Sequence, residues 1–394
     1  MKTLNLYSLK KSVGNALFML FILILTLDPT GAILHIKDLF FVFLVGYNIV
    51  CFRPDYSKLP IIVAAVSVVV LTWVLAVIQE GNFDMEGAMA MIKSFAPMVL
   101  LLWVREYDLL SLARMPMVIA SLLVVILFWA IVIVPETEGP IYYFFNVRGD
   151  NTIMMSWRSF LGIEMFGMYY KSIVSFILVF AVYISLSFNK EKRNWRILLC
   201  TLIVFHAFVI SGTRSTMLLP FFLFVMIGYR EFKDMRYFKY ILYPLIAIVA
   251  TSFLVLLCML IMEKGEASNL VKYAHLNSYW ILFCEHPLYF LFGQGAGSSF
   301  YSSGFLRVTL NTEWTYLELF RYFGFFSIVI IYIFYRPLFT LWSDRKTNIS
   351  YTLFWGYLAY LMIAGTNPLL LSSTGMLVLL IVYSYESRLK SRNL

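Results

Sequence analysis

Arginine in the connections between apolar segments is the residue of this chain best placed for chemistry. The densest polar group is the Ser-Gly-Thr-Arg-Ser-Thr segment at 211–216, where Arg214 separates two apolar segments with almost no loop. An arginine inside a membrane costs about 2.5–3.5 kcal/mol on insertion scales, so one that is kept there is a functional candidate. Its guanidinium is a rigid fork of donors that suits phosphate oxygens. The alternative is an arginine that extends to the membrane interface, but the neighbouring glycine and hydroxyl groups favour phosphate binding.

Two further arginines, Arg148 and Arg158, lie in the connection at 135–170. Each is a candidate for the same role. A surface ion pair with Asp150 or Glu164 is an equal alternative for either of them.

Arg307 and Arg321 complete the set of candidate arginines. Arg321 follows Glu318 by three residues, and this spacing on a helix favours an ion pair within the helix. Arg307 has no such neighbour and stays a candidate for binding an anion.

Glu313 stands at the start of an apolar segment, directly before Trp314. One interpretation is an acidic residue at a helix N-terminus, with Asn311 or Thr312 as the cap. The other is a general base, because a carboxylate in a partly dry aromatic setting has a raised pKa. Both interpretations remain open at this point.

The segment 263–314 is the longest polar connection in the chain, and a connection of this length usually has a function. Its Gly-x-Gly-x-Gly run at 293–297 lacks a surrounding strand–helix unit, so it predicts a tight turn rather than a nucleotide site. His275 and His286 have no partner at metal-ligand spacing, and no metal site is predicted. His206 lies within an apolar segment and is expected to hydrogen-bond to a neighbouring helix.

The composition predicts an all-α, polytopic membrane protein. Of the residues, 61% are hydrophobic and 13% are charged, and the mean hydropathy is +0.81. Apolar stretches long enough to span a bilayer recur throughout, so we treat residues 1–394 as a single membrane domain. About twelve transmembrane helices are predicted, at 14–33, 38–52, 59–79, 87–104, 115–134, 171–188, 196–212, 215–229, 239–262, 315–335, 350–366 and 372–386.

The net charge of +9 is explained by the distribution of Lys and Arg along the chain. These residues cluster at both ends and on alternate connections, which is the positive-inside pattern with both termini in the cytoplasm. The connections at 135–170 and 263–314 and the turn at 211–215 then face outward. The charge therefore indicates topology, and no nucleic-acid partner is expected. A nucleotide-binding motif is also missing from the sequence, so the energy for any reaction must come from the substrate.

Several of these motifs, in this order, resemble a known family. Ser-Gly-Thr-Arg between two apolar segments is followed by His-Pro-Leu, by Gly-x-Gly-x-Gly and by Tyr-Leu-Glu-Leu entering the next segment. Over about 140–375 the chain is similar to the O-antigen polymerase and O-antigen ligase superfamily of bacterial envelope glycosyltransferases. The family commonly has His-Asn-Ser-Tyr-Leu where this chain has Glu-Trp-Thr-Tyr-Leu from Glu313 onward. This departure argues against a ligase and for a polymerase.

The resemblance implies a GT-C-like architecture in the bacterial inner membrane, with the active site facing the periplasm. It implies polymerisation of undecaprenyl-pyrophosphate-linked repeat units by inverting transfer that uses neither metal nor cofactor. A lipid-linked donor and acceptor, membrane lipid and a chain-length regulator are the partners it suggests. An O-antigen ligase and a lipid-linked oligosaccharide flippase are the alternatives.

Roles for individual residues follow from the same resemblance. Glu313, Arg214 and Arg158 are the expected catalytic residues, and Arg214 and Arg158, with Arg307 and Arg321 in reserve, are expected to bind pyrophosphate. Four aromatic residues are candidates for stacking on sugars or, equally, for a belt at the lipid interface. These are Tyr279, Trp280, Trp314 and Tyr316.

Overall fold

The computed structural model describes residues 6–79, 83–160, 163–189, 191–232, 244 and 267–392. This part of the chain is mostly helical, with two short β-hairpins. The first seven helices are α1 Leu6–Leu27, α2 Lys37–Cys51, α3 Leu59–Ile78, α4 Met85–Phe95, α5 Leu109–Ile133, α6 Glu138–Tyr142 and α7 Ile177–Phe188. The other eight are α8 Trp195–Ile210, α9 Arg214–Phe232, α10 Ala267–Glu285, α11 Leu288–Phe292, α12 Thr315–Phe323, α13 Ser327–Ser343, α14 Asn348–Gly365 and α15 Ser373–Arg392.

The strands form two antiparallel hairpins, β1 Ile153–Phe160 with β2 Ile163–Tyr170 and β3 Phe300–Ser302 with β4 Arg307–Thr309. Short 3-10 segments extend or join the helices, at Tyr56–Lys58, Ala96–Glu106, Pro135–Thr137, Ile173–Phe176 and Gly324–Phe326. A π-helical turn covers Tyr143–Val147.

Helical segments coincide with eleven of the twelve predicted spans, and the twelfth, 239–262, lies outside the described residues except for Pro244. Within the described ranges, six helical stretches are long and apolar enough to cross a membrane. They are Leu6–Leu27, Tyr56–Ile78, Met85–Glu106, Leu109–Ile133, Ser215–Phe232 and Thr315–Ser343. Two shorter apolar helices, Ile173–Phe188 and Trp195–Ile210, accompany them. The predicted class, a helical membrane protein, is thereby confirmed.

The core lies around α7, which is buried along nearly its whole length. It packs against α8, α9 and α14. Gly356 on α14 permits a close approach to α7, because an added Cβ would lie 2.9 Å from the Cβ of Ala181. The outward faces of the helices carry exposed apolar side chains such as Val63, Ile126 and Phe339. Such a surface is solvated by lipid rather than by water.

The connection at 135–170 is a structured element. Its strands β1 and β2 pair from Ile153↔Tyr170 to Phe160↔Ile163. The base of this hairpin is fixed to the end of α1: the Tyr170 hydroxyl donates to the carbonyl of Leu27, and Ser172 Oγ donates to the carbonyl of Thr26 at 2.7 Å. The hairpin is therefore held in place beside the helix bundle.

The predicted long loop at 263–314 is also largely structured where it is described. It contains α10, α11 and the β3–β4 hairpin. The polar composition of this segment reflects a small folded unit between α9 and α12 rather than an unstructured connection.

Candidate functional site

The guanidinium of Arg321 is the centre of the contacts between α12 and the folded unit at 267–314. It is completely buried, and its Nη2 lies 2.7 Å from Oε2 of Glu318. Its Nη1 donates to Oε1 of Gln294 at 2.7 Å and to the carbonyl of Ser298 at 2.9 Å, and its Nη2 also donates to the carbonyl of Leu310 at 2.6 Å. The ion pair that the spacing of Glu318 and Arg321 predicted is confirmed.

The donors of Arg321 are all occupied by protein atoms. Its Nε bonds Oε2 of Glu318 at 2.8 Å, which completes the five N–H groups that an arginine offers. A buried guanidinium saturated in this way joins several chain segments to α12. In this arrangement it has no donor left for a phosphate, so Arg321 serves as the anchor between α12 and the unit 267–314.

The other carboxylate oxygen of Glu318 is also occupied by hydrogen bonds. Its Oε1 accepts from the Tyr279 hydroxyl at 2.5 Å and from the backbone N–H of Thr312 at 2.7 Å. Burial raises the pKa of Tyr279, and the neighbouring charge of Glu318 raises it further, so this hydroxyl stays protonated and keeps donating. Tyr279 is thus part of the anchor, with only 3% of its surface exposed.

The glycine run at 293–297 forms the tight turn that its spacing predicted. Gly293 and Gly295 have positive φ angles of 77° and 101°, and a Cβ on Gly293 would collide with the carbonyl oxygen of Tyr322. The N–H groups of Gln294 and Gly295 donate to the carbonyls of Arg321 and Tyr322, at 2.6 and 3.1 Å. These amides therefore hold α12 and do not face an anion.

A cavity of about 170 Å³ lies beside this anchor. One wall comes from α4 and the opposite wall from the turn that follows α14. Polar groups of Asn311, Thr315 and Tyr322 line it together with Glu318. The lining residues are Gly87, Ala90, Met91, Leu310, Asn311, Thr315, Glu318, Tyr322, Pro368 and Leu371.

Glu313 lies just outside the anchor and is partly open to solvent. Its Oε2 is 3.7 Å from Nζ of Lys272, and the two side chains are 43% and 34% exposed. The helix α12 begins two residues later, at Thr315, so the carboxylate in its first turn is Glu318 rather than Glu313. Thr312 Oγ1 accepts from the N–H of Trp314 at 3.3 Å, which turns the chain into the helix. Glu313 is the one carboxylate of this turn that remains available to a substrate.

Two glycines bring the segments of Arg158 and Arg214 together. Gly167 on β2 faces Gly212, and a Cβ added to Gly212 would lie 2.9 Å from Cα of Gly167. Gly212 has a φ of +65° and lies two residues before Arg214, the first residue of α9. Arg158 is on β1, paired with Met165. The side chains of Arg158 and Arg214 lie outside the described atoms, so the finding concerns their backbone segments.

Hydroxyl side chains form hydrogen bonds with one another in and beside the turn before α9. Thr216 Oγ1 is bonded to the hydroxyls of Ser211 and Thr213 and donates to the carbonyl of Thr213 at 2.9 Å. These three side chains stabilise the start of the helix. Arg214 lies in the first turn of this helix, and the turn before the helix contacts β2 through Gly212 and Gly167.

The remaining aromatic candidates occupy different environments. Trp280 is 71% exposed on α10, whereas Tyr316 points inward and bonds the Tyr335 hydroxyl at 2.8 Å. Trp314 donates from Nε1 to the carbonyl of Lys272 at 3.3 Å. Of the predicted sugar-stacking residues, Trp280 presents the largest free surface.

The other arginine candidates lie at the surface. Arg307 is exposed on β4, with its guanidinium 5.8 Å from the ring centre of Phe305. Arg148 is also exposed, in the turn before β1. Neither of them joins the buried anchor.

Two histidines have defined partners. Trp129 Nε1 donates to Nε2 of His206 at 2.9 Å across α5 and α8, which confirms the predicted contact between helices. His275 is buried in α10, and its Nδ1 lies 2.6 Å from Oγ of Ser302 on β3. Its ring also packs on Phe305 at 4.5 Å. His275 thus fastens the β3–β4 hairpin to α10, a role that its sequence position did not indicate.

Comparison of the chain with models of protein families and with curated proteins gave no match. In the part of the chain that the structure describes, no three His, Cys, Asp or Glu side chains form a group that could hold a metal ion. Function is therefore inferred from the residues and their geometry.

Proposed function

We propose that this protein is a membrane-embedded glycosyltransferase that polymerises polyprenyl-pyrophosphate-linked repeat units, in the manner of the O-antigen polymerases. It acts at the outer face of the bacterial inner membrane, with about twelve spans and both termini in the cytoplasm. The main support is the contact between Gly167 and Gly212, because it sets the two segments with the best placed arginines against each other.

An arginine in the first turn of a helix, with a second arginine on the hairpin that contacts the preceding turn, suits a diphosphate leaving group. Breaking the bond between the anomeric carbon and the pyrophosphate oxygen leaves the electron pair, and negative charge, on the diphosphate. Guanidinium groups and the helix dipole stabilise that charge as it develops. In this proposal Arg214 and Arg158 carry out this step.

The acceptor must lose a proton as it attacks. A hydroxyl oxygen of the acceptor sugar forms the new bond to the anomeric carbon from the face opposite the diphosphate, which inverts the configuration. The hydroxyl proton passes to Glu313, a carboxylate that is partly exposed and bound only loosely to Lys272. Trp280 supplies an exposed ring for stacking on a sugar.

A ligase that moves the same glycan onto lipid A-core is the second candidate, since it would use the same donor. The glutamate at position 313, where the ligases commonly have histidine, favours polymerisation. A flippase is the third candidate, because helical bundles with charged cavities also suit transport. The structured outer unit at 267–314, fastened by Arg321, favours an enzyme over a transporter.

Deletion of the gene in its host separates these candidates. Loss of a polymerase leaves a single repeat unit on lipid A-core, and loss of a ligase leaves none. Loss of a flippase makes the lipid-linked repeat unit accumulate in the inner leaflet. Lipopolysaccharide with full-length chains in the deletion strain would contradict the proposal.

A further inference from the structure

The cavity beside the anchor has an exposed rim and a buried polar floor. Ala90, Asn311 and Pro368 form the rim and are exposed, whereas Thr315 and Tyr322 form the floor and are buried. In the predicted topology, the starts of α4 and α12 and the turn after α14 lie at the outer face of the membrane. The cavity then opens toward substrates on that side.

The walls of the cavity are fixed to one another by hydrogen bonds within the protein. The N–H of Asp84, the residue before α4, donates to the carbonyl of Gly297 in the glycine turn at 2.9 Å. Thr315 Oγ1 on α12 donates to the carbonyl of Asn367 in the turn after α14. The cavity is therefore preformed, as pockets for small molecules usually are.

The cavity offers no unpaired charge to a ligand. Among the described residues that line it, none is Lys or Arg, and Glu318 is the one carboxylate. Oε1 of Glu318 accepts from Tyr279 and Thr312, and Oε2 is paired with Arg321. A typical phosphate site supplies arginine or lysine donors, and a typical calcium or magnesium site supplies free carboxylates. This lining favours an uncharged ligand.

Neutral hydrogen-bonding groups remain available in the lining. Oδ1 of Asn311 accepts from the Tyr322 hydroxyl at 3.0 Å, whereas its Nδ2 has no acceptor among the described residues. The hydroxyls of Tyr322 and Thr315 donate to protein groups and keep lone pairs that can accept. Apolar surface comes from Ala90, Met91, Leu310, Pro368 and Leu371. A sugar ring matches this mixture, because it has hydroxyl groups that donate and accept and C–H groups that pack on apolar surface.

The size of the cavity limits the ligand to about one ring. Its volume is about 170 Å³. A cavity of about 150 Å³ holds one benzene ring, whereas pockets for drug-sized ligands measure about 300–1,000 Å³. One pyranose ring therefore fits, and the open rim leaves room for its substituents and for the rest of an oligosaccharide.

We propose that this cavity binds the attacking sugar of the acceptor repeat unit. The inference rests on the proposed function and deepens it by giving the acceptor a site. Asn311 and Thr315 each stand two residues from Glu313, so their Cα atoms lie within about 7 Å of its Cα. The segment that carries the proposed base thus forms an edge of the cavity. A general base must come within hydrogen-bond reach of the attacking hydroxyl, so this edge suits the acceptor rather than the donor.

A variant that fills the cavity tests the proposal. The acceptor probe is the repeat unit on an octyl glycoside, which can accept a glycan but cannot donate one because it lacks a diphosphate. Native mass spectrometry measures its binding and, separately, that of undecaprenyl pyrophosphate. Ala90→Phe adds bulk at the rim and should lower the affinity for the octyl-linked repeat unit at least about 10-fold, with undecaprenyl pyrophosphate unaffected. Met89→Phe is the matched control, at an exposed neighbour on α4 outside the lining, and should bind both ligands normally.

Asn311→Ala provides a second test that adds no bulk. It removes the free N–H donors, while the Tyr322 hydroxyl keeps its bond to the carbonyl of Leu310. The affinity for the octyl-linked repeat unit should fall about 2- to 10-fold, the usual effect of one lost hydrogen bond. Retained binding of undecaprenyl pyrophosphate shows that each variant is folded.

Three results would overturn the proposal. The wild type may fail to bind the octyl-linked repeat unit, or Ala90→Phe and Asn311→Ala may bind it as well as the wild type does. Weaker binding of undecaprenyl pyrophosphate alone in these variants would assign the cavity to the donor.

The outcome is separable from that of the proposed function. A wild type that binds the octyl-linked repeat unit through the cavity, and yet catalyses no chain growth, would reject polymerisation but leave the site. A wild type that elongates chains, with unchanged acceptor binding in both cavity variants, would reject the site but leave polymerisation.

Discussion

Glu318 and Arg321 lie one helical turn apart on α12 and form a buried ion pair, with Nη2 2.7 Å from Oε2. Both side chains bond the chain that precedes the helix: Glu318 contacts Tyr279 and Arg321 contacts Gln294. The pair thereby connects the unit 267–314 to α12. Its contribution is to hold the segment that carries Glu313, rather than to contact the substrate.

Substitution of Arg321 by alanine should destabilise the protein strongly. It leaves the Glu318 carboxylate buried and unpaired, and removing one partner of a buried pair costs about 3–5 kcal/mol. Urea unfolding in detergent, followed by circular dichroism, measures the change. Glu318→Leu/Arg321→Met should lose less, because no charge is left unpaired. Arg307→Ala, at an exposed arginine of the same unit, should change the stability by at most about 0.5 kcal/mol. If Arg321→Ala is as stable as the wild type, Arg321 does not act as an anchor.

The contact between Gly167 and Gly212 can be tested with a single methyl group. Gly212→Ala places a Cβ 2.9 Å from Cα of Gly167 at a positive φ, so the hairpin must move away from the turn before α9. A displacement of about 1 Å at a catalytic site costs about 10²-fold in rate, and we expect a loss of chain growth of that size. Gly46→Ala is the matched control, because its Cβ would meet no atom within 4 Å. Normal chain growth by Gly212→Ala would show that this contact does not position the site.

Glu313→Gln tests the general base. The substitution keeps the shape of the side chain and removes its ability to accept a proton, so chain growth should fall by about 10²–10⁴-fold. Protein levels should not change, because the side chain is partly exposed. The control is Glu138→Gln, at an exposed glutamate of the connection 135–170. If Glu313→Gln retains full activity, another group accepts the proton.

The folded protein should become less stable as the pH falls, because His275 becomes protonated. Burial lowers the pKa of His275 below its ordinary value of 6.5, although the charges of Glu313 and Glu318 oppose this. The unfolded state therefore binds the proton more readily than the folded state. The stabilisation is present above pH 6.5 and is lost as the pH falls through the lowered value. Melting temperatures from pH 8 to pH 5 should decline less in His275→Gln than in the wild type, and parallel declines would exclude His275 as the cause.

The sequence predicted local features better than distant contacts. Helix positions followed from apolar runs, and the pairing of Glu318 with Arg321 followed from their spacing of three residues. Their other partners could not be predicted, because Gln294 is 27 positions from Arg321 and Tyr279 is 39 from Glu318.

Two elements of secondary structure lie within segments that were predicted only as connections. The segment 153–170 was expected only as part of an outward connection, yet its Ile, Trp, Phe and Tyr residues favour strands, and it forms a hairpin. The helix α10 lies within a predicted loop, since its mixture of polar and apolar residues lacks a clear periodic pattern.

The central claim is polymerisation, and purified protein tests it most directly. Incubation with a synthetic undecaprenyl-pyrophosphate-linked repeat unit, without added metal or nucleotide, should give a ladder of products that differ by one repeat unit. Arg214→Ala should insert into the membrane and give no ladder, because the departing diphosphate loses its main cation. A folded wild-type protein that leaves the repeat unit unextended would contradict the account.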